Sequence, residues 1–283
     1  EGDWAVWKQH DLDRGHLNDE QKEYFENKAL WLCARCEDVG QRNGRKLAEI
    51  AEKEKQLIHQ IHALHSHKSA KKCTASVFDG LRGVVNLARG CKVVLIRNVT
   101  YKFGLANGTR GIFISAVYGP GGVGTFPEAL ICEFPDYCGD HFYKDEPKWV
   151  PIVPKVAYKD KSKMSRTQFP LVAGFALTVN KAQGLTVKEG VVIHLVSGSR
   201  KFKPASKHGL PFVAFTRSES FAMTAFKNIP PWQDFQKGSE SDMLKMRLRF
   251  TGNPDTSATA DTGNNLAAWP SNIYMFSCTM GLK

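Results

Sequence analysis

With 283 residues, 42% of them hydrophobic and 24% charged, the chain can bury a full apolar core in one large or two small domains. A net charge of +11 favours a polyanionic partner, through attraction to phosphates and release of counterions. No apolar run reaches the length of a bilayer-spanning helix, and no basic-then-apolar leader opens the chain.

The chain starts without Met and in mid-pattern, as a piece of a longer protein would. Seven cysteines, at 33, 36, 73, 91, 132, 138 and 278, are odd in number and scattered. That is no disulfide framework and points to a reducing compartment.

Residues 1–28 are polar and interrupted, and Asn18-Asp19-Glu20 followed by Gln21, Tyr24 and Phe25 predicts a short capped helix. Ala29 to Cys33 is an apolar run of strand length. From Val39 the period changes. Leu47, Ile50, Ala51, Leu57, Ile58, Ile61 and Leu64 recur at helical spacing with Glu and Lys opposite, which predicts one long amphipathic helix. It runs out at His65-Ser66-His67-Lys68, a basic polar loop.

Strand signals follow at Lys92–Arg97, Gly111–Tyr118, Ala129–Phe134 and Trp149–Val153. Between the first two, Asn107-Gly108 is a tight-turn signal of the kind that places both central residues at positive φ. Residues 91–153 thus read as a small antiparallel β unit, left through a lysine-rich link, Lys155 to Lys163.

Next comes Arg166 to Gly184, RTQFPLVAGFALTVNKAQG. An apolar run, Leu171 to Val179, ends in Asn180-Lys181-Ala182-Gln183-Gly184, and a second apolar run spans Val191 to Val196. A buried strand, a polar edge and another buried strand are predicted. A basic loop, Ser197–His208, precedes a further predicted buried strand, Pro211–Thr216, with Arg217 at its end. The tail has one helical piece, Asp242–Arg249, and then a turn-rich stretch of low hydrophobicity.

Three tempting motifs reduce to simpler readings. Gly119-Pro120-Gly121-Gly122-Val123-Gly124-Thr125 follows a strand like a phosphate-binding loop. It lacks the Lys after its last Gly and the helix that must follow, so it reads as a hairpin loop. Cys33 and Cys36 form a single Cys-x-x-Cys, and Cys132, Cys138 and His141 complete it only at irregular spacing, which favours reduced cysteines over zinc. His59 and His62 share a face of the predicted helix, but a solvated basic helix end accounts for His59, His62, His65 and His67. No metal site is assigned.

The remaining signal is an ordered set of segments. It begins with Ala29-Leu30-Trp31-Leu32-Cys33, with Asn43 and Leu47. Gly90-Cys91-Lys92-Val93-Val94-Leu95 with Arg97-Asn98 follows, then Gly104-Leu105-Ala106-Asn107-Gly108-Thr109-Arg110-Gly111. Gln168-Phe169-Pro170-Leu171 leads into Thr178-Val179-Asn180-Lys181-Ala182-Gln183-Gly184-Leu185-Thr186. The set closes on Gly209-Leu210-Pro211-Phe212-Val213-Ala214-Phe215-Thr216-Arg217.

Over residues 25–235 this set resembles the C-terminal half of superfamily-one DNA helicases of the PIF-like type, including those of rolling-circle transposons, and more distantly RecD. The resemblance implies an α/β fold: a RecA-like (P-loop NTPase-type) second motor domain with a small antiparallel β-barrel-like insert. The implied layout is a lead-in at 1–28, the motor domain at 29–90 and 166–235, the insert at 91–165, and a flexible tail at 236–283. The segment around Lys181 matches the fifth helicase motif, with Ala182 where the family pattern usually has Ser. Thr216 stands for the usual Ser before the arginine.

Several roles follow from that match. Arg217 would be the arginine finger, a catalytic and ATP-binding residue, with Gly184 beside the nucleotide. Thr178, Asn180, Lys181 and Gln183 would contact single-stranded DNA. Lys159, Lys161, Lys201 and Lys203 could line its track, though surface lysines are more often merely solvated. ATP and Mg2+ would be the cofactors, held mainly by an upstream RecA-like domain, because the 283 residues contain no Gly-Lys-Ser/Thr phosphate loop.

The implied partners are single-stranded or forked DNA and that upstream domain, with no membrane and a monomeric state. The implied compartment is the nucleus or a mitochondrion. A degenerate, transposon-derived remnant that binds nucleic acid without ATPase activity, and a basic β-rich adaptor, remain alternatives.

Overall fold

The computed structural model describes residues 2–159, 164–195 and 209–229. All of them fall within one unit, Glu1–Ser239. The predicted tail helix, the whole predicted loop Ser197–His208 with its lysines at 201 and 203, and Lys161 lie outside the described residues.

After a short helix α1 (Gly2–Gln9), the predicted capped helix is present as α2 (Asp19–Asn27). Asn18 accepts from the Gln21 amide while the Gln21 side chain accepts from the Asn18 amide, a reciprocal capping box. Strand β1 (Leu30–Cys33) is buried at all four positions. It leads into α3 (Cys36–Lys53), whose first turn carries Glu37 and Asp38 and whose last carries Lys53, as the helix dipole favours.

The helix does not continue to Leu64 as its periodicity predicts. It stops at Lys53, and Lys55 takes a positive φ of 49°. Leu57 is 84% exposed, so a longer helix would have gained little there. The chain instead extends into β2 (His59–His62) and β3 (Leu64–His65). Strand β2 pairs antiparallel with β4 (Val84–Leu87), which puts Ile61 beside Val85. A partner more than 20 residues away decided this segment, and local periodicity holds no record of it. On a strand, His59 and His62 fall on opposite faces; His59 meets the Tyr118 hydroxyl at 3.1 Å instead.

The β unit begins with β5 (Lys92–Leu95) and β6 (Arg110–Val117). It continues through β7 (Ala129–Glu133) and β8 (Trp149–Ile152). The glycine-rich run at 119–125 joins β6 to β7, which are antiparallel, so it is a hairpin loop. The turn at Ala106–Thr109 closes with a 3.0 Å amide-to-carbonyl bond, and Gly108 alone of its central pair has positive φ, at 94°.

The lysine-rich link starts as a strand. Strand β9 (Lys155–Tyr158) pairs antiparallel with β10 (Ser165–Gln168), which also pairs with β3.

The apolar run Leu171–Val179, predicted as one strand, is two. Strand β11 (Leu171–Ala173) pairs antiparallel with β5, giving a five-stranded sheet in the order β11-β5-β6-β7-β8. Strand β12 (Ala176–Thr178) pairs parallel with β1 in another sheet. The chain changes sheets across Gly174, where a Cβ would lie 2.8 Å from Val94 and 3.0 Å from the Val93 backbone. Only glycine admits that approach.

The second sheet is all parallel, in the order β12-β1-β13-β14, with β13 at Val191–His194 and β14 at Thr224–Phe226. One face buries Leu30, Leu32, Leu177, Val191, Ile193 and Phe226. The other buries Trp31, Cys33, Ala176, Val192 and Ala225. Burial on both faces explains why these strands read as unbroken apolar runs.

The predicted strand Pro211–Thr216 is a helix, α4 (Leu210–Phe215). Pro211 stands at its start and the Val213 amide reaches the Gly209 carbonyl at 2.9 Å. Proline is favoured in a first helical turn, where its missing N–H has no partner to lose. The run Leu210-Pro211-Phe212-Val213-Ala214-Phe215 is too short for periodicity to separate a half-buried helix from a strand.

Candidate nucleic-acid and nucleotide interface

In the parallel sheet Thr178, Cys33 and His194 stand in one register row at the carboxyl ends of their strands. Ligands of open α/β sheets bind at that edge. From Thr178 the chain turns through a single 3-10 turn, Val179–Ala182. Val179 and Ala182 are buried, whereas Asn180, Lys181, Gln183 and Gly184 are exposed and Thr178 is half-buried. The apolar pair pins the turn to the core and so presents the polar side chains outward. All four predicted DNA-contact residues therefore belong to one short surface segment. Burial of Ala182 means that a serine hydroxyl there would face the core, not solvent.

Asn43 of α3 fixes this segment from behind. Its side-chain amide donates to the carbonyls of Ala173 (3.0 Å) and Ala176 (3.2 Å), and its oxygen accepts from the Ala176 amide at 2.8 Å. One side chain thus satisfies three backbone groups where the chain leaves one sheet for the other. The sequence set Asn43 among its matching segments but gave no sign of this task.

Leu185, next after Gly184, is where the turn meets its neighbours. Its carbonyl accepts from Arg217 at 2.9 Å, and its side chain lies against Gly108, whose Cβ would come 2.3 Å from it. Arg110 forms an ion pair with Glu189 four residues further on. The β unit and the turn are therefore packed together through Gly108–Leu185 and Arg110–Glu189. Burial lowers the Arg110 pKa to about 10. Nearby Lys92 is lowered to about 8 by burial first and by Arg110, Lys28 and Lys46 next. Its ammonium donates to the Lys28 carbonyl at 2.6 Å.

Arg217 follows α4 and is half-buried. Its guanidinium donates to the Val213 carbonyl (2.9 Å), the Leu185 carbonyl (2.9 Å) and the Thr216 hydroxyl (2.9 Å). The Arg217 carbonyl accepts from the Val187 amide. Arg217 thus ties the end of α4 to the residue after the polar turn. Gly184, at φ 87° with open space where a Cβ would stand, lies one residue from that tie.

Arg166, which opens the 166–184 stretch, has a structural task. It is 1% exposed and donates to the carbonyls of Leu81, Ala70 and Cys73 at 2.9–3.0 Å, with its guanidinium 4.5 Å from the Phe78 ring centre. Burial lowers its pKa, and no carboxylate offsets the charge among the described residues. Gln168 is equally buried and donates to the Ile61 carbonyl.

Cys33 is buried, which raises its thiol pKa to about 12, and Cys36 is exposed. Among the described residues no three His, Cys, Asp or Glu side chains gather as a metal site.

No protein-family model matches the chain. Two curated proteins do. The ATP-dependent DNA helicase PIF1 of Homo sapiens is 26% identical over 162 residues, covering 56% of this chain and 22% of that protein. The same-named protein of Danio rerio is 27% identical over 192 residues, covering 68% and 26%. The chain therefore spans about a quarter of the length of the curated relatives it matches.

Among solved structures, one of two coordinating Pif1 helicases unwinding forked double-stranded DNA matches with a TM-score of 0.59 at 17% identity, over 90% of this chain and 49% of that one. The Pif1 helicase of Candida albicans matches with a TM-score of 0.59 at 18% identity, over 89% and 58%. The shared fold is the RecA-like α/β architecture of those helicases.

Proposed function

Because the chain is homologous to part of the PIF1 DNA helicases, we propose that it is the second motor domain of an ATP-dependent DNA helicase. The observation that carries this is the exposed Thr178–Gly184 turn, held at the carboxyl edge of a parallel sheet and tied through Leu185 to Arg217.

In this reading Thr178, Asn180, Lys181 and Gln183 hold the backbone of a single strand, with Lys181 supplying the charge. Arg217 and Gly184 face the nucleotide. Arg217 is already steered by its three acceptors. To act as a finger it must exchange carbonyls for phosphate oxygens, whose negative charge adds ion-pair attraction and whose paired oxygens match the guanidinium fork. Bound ATP with Mg2+ would supply the transferable phosphate. The phosphate loop and the magnesium carboxylate would come from an upstream RecA-like domain, absent from these 283 residues. Strands β5 to β8 of the five-stranded sheet serve as the small barrel-like insert, packed on the turn through Gly108 and Arg110.

Supplying the upstream domain in one polypeptide with this chain, and measuring DNA-stimulated ATP turnover, tests the assignment. Arg217→Ala is expected to lower turnover by about 10³ or more, while DNA binding persists. Turnover unchanged by Arg217→Ala would refute the finger. DNA binding without turnover in the complete protein would select a remnant that only binds nucleic acid. The isolated chain is expected to bind single-stranded DNA and hydrolyse no ATP.

A further inference from the structure

A groove of about 170 Å³ runs beside the polar turn, between α3, the β4 segment and the β11–β12 bend. Its wall includes Arg82, Lys181, Thr178 and Asn86, and no aspartate or glutamate lines it. Arg82 is half-buried, and among the described residues neither Arg82 nor Lys181 forms an ion pair. Although Lys181 is exposed overall, desolvation of its ammonium against the groove wall and then the charge of Arg82 lower its pKa. Two cations without a carboxylate among the lining residues leave the groove electropositive, which favours an anion there.

The helix side of the groove is bare. Gly40 and Gly44 lie four residues apart on α3, both exposed, with nothing within 4 Å of where a Cβ would stand. A residue spacing of four puts them on one helix face. Glycine inside a helix is less stable than alanine, and here neither position is filled by a neighbouring group.

Resting on the reading proposed above, we infer that this groove is a phosphate subsite for single-stranded DNA. Arg82 is a second contact beside Lys181, and Gly40 and Gly44 leave room for the sugar-phosphate chain to pass close to α3. The DNA path thereby extends from the turn across to the start of β4, to a residue outside every segment that matched the helicase pattern. Arg82 offers a planar fork suited to a phosphate; Asn86 and Thr178 add neutral donors.

The test is the salt dependence of binding of a fluorescein-labelled oligothymidylate to the 283-residue chain, by anisotropy. Losing one single-strand phosphate contact lowers the slope of log affinity against log salt by about 0.7. Arg82→Ala is expected to show that drop and to weaken binding on the order of tenfold at low salt. The double variant Gly40→Ala, Gly44→Ala is expected to melt at a higher temperature yet bind more weakly, a pairing that a merely structural role would not produce.

Unchanged affinity and slope in Arg82→Ala, while Lys181→Ala binds more weakly, would overturn the subsite and leave the helicase reading standing. Binding by the glycine variant equal to that of the parent would also overturn it. No binding by the parent chain would overturn both.

Discussion

Asn43 offers the most direct check on how the polar turn at Thr178–Gly184 is held. Its amide makes three bonds to the backbone at Ala173 and Ala176, where both residues are buried. Asn43→Ala removes all three partners and leaves a donor and two acceptors with no room for full solvation. A typical bond contributes about 1 kcal/mol net, and an unsatisfied buried group costs about 1–3 kcal/mol. The Ala176 amide is the most exposed to that penalty, because a buried N–H has a single donor to satisfy.

Allowing for water entering from the adjacent groove, the loss is expected to be about 2–4 kcal/mol. That corresponds to a melting shift of roughly 5–15 °C for a domain this size. Asn43→Asp should retain the Ala176 bond but set a carboxylate against two carbonyl oxygens, so it too should destabilise. Urea denaturation followed by circular dichroism gives the stability change, and oligothymidylate anisotropy gives the functional one. The bend sets the position of Thr178 onward, so affinity should fall as well. A loss below about 0.5 kcal/mol for Asn43→Ala would show that the bend is held by strand pairing alone.

Other expectations follow from the same contacts. Arg166→Met leaves three buried carbonyls without donors, at about 1–3 kcal/mol each, partly offset by the relieved burial of a charge, and should destabilise by about 2 kcal/mol or more in urea denaturation; a neutral result would mean that water replaces the guanidinium. Gly108→Ala meets Leu185 and a positive φ, and should cost about 1–2 kcal/mol by thermal melting while weakening DNA binding. Cys36 lines the groove and is exposed, so saturating oligothymidylate should slow its alkylation, read peptide by peptide in a mass spectrometer. Equal rates with and without DNA would place the strand elsewhere.

The Lys92 pKa is lowered to about 8 in the folded chain, whereas the unfolded chain keeps the ordinary lysine value. Between those two values the unfolded state binds more protons, so the Lys92 contribution to stability rises with pH across that window. The burial penalty on the ammonium is fully present below about pH 8 and is relieved as pH climbs toward about 10. The urea midpoint of the parent relative to Lys92→Met should therefore rise over that interval; a flat difference would mean that the ammonium is solvated.

Two strands of the parallel sheet, Leu30–Cys33 and Val191–His194, the capped helix at 19–27 and the place of the polar turn were legible in the sequence, whereas β14 (Thr224–Phe226) left no local signal. Apolar runs buried on both faces and a capping box are local signals, set by residues adjacent in the chain. The sequence also carried the resemblance that implies single-strand contacts for Thr178, Asn180, Lys181 and Gln183 and a nucleotide role for Gly184 and Arg217.

Contacts between distant segments settled the remainder. They ended α3 at Lys53 by giving Ile61 a strand partner at Val85. They split Leu171–Val179 between two sheets at Gly174, and turned Leu210–Phe215 into a helix that Arg217 closes. They also brought Arg82 beside Lys181 from 99 residues away in the chain. Each of these rests on a contact between distant segments, whose free energy exceeds the few tenths of a kcal/mol by which local propensities differ.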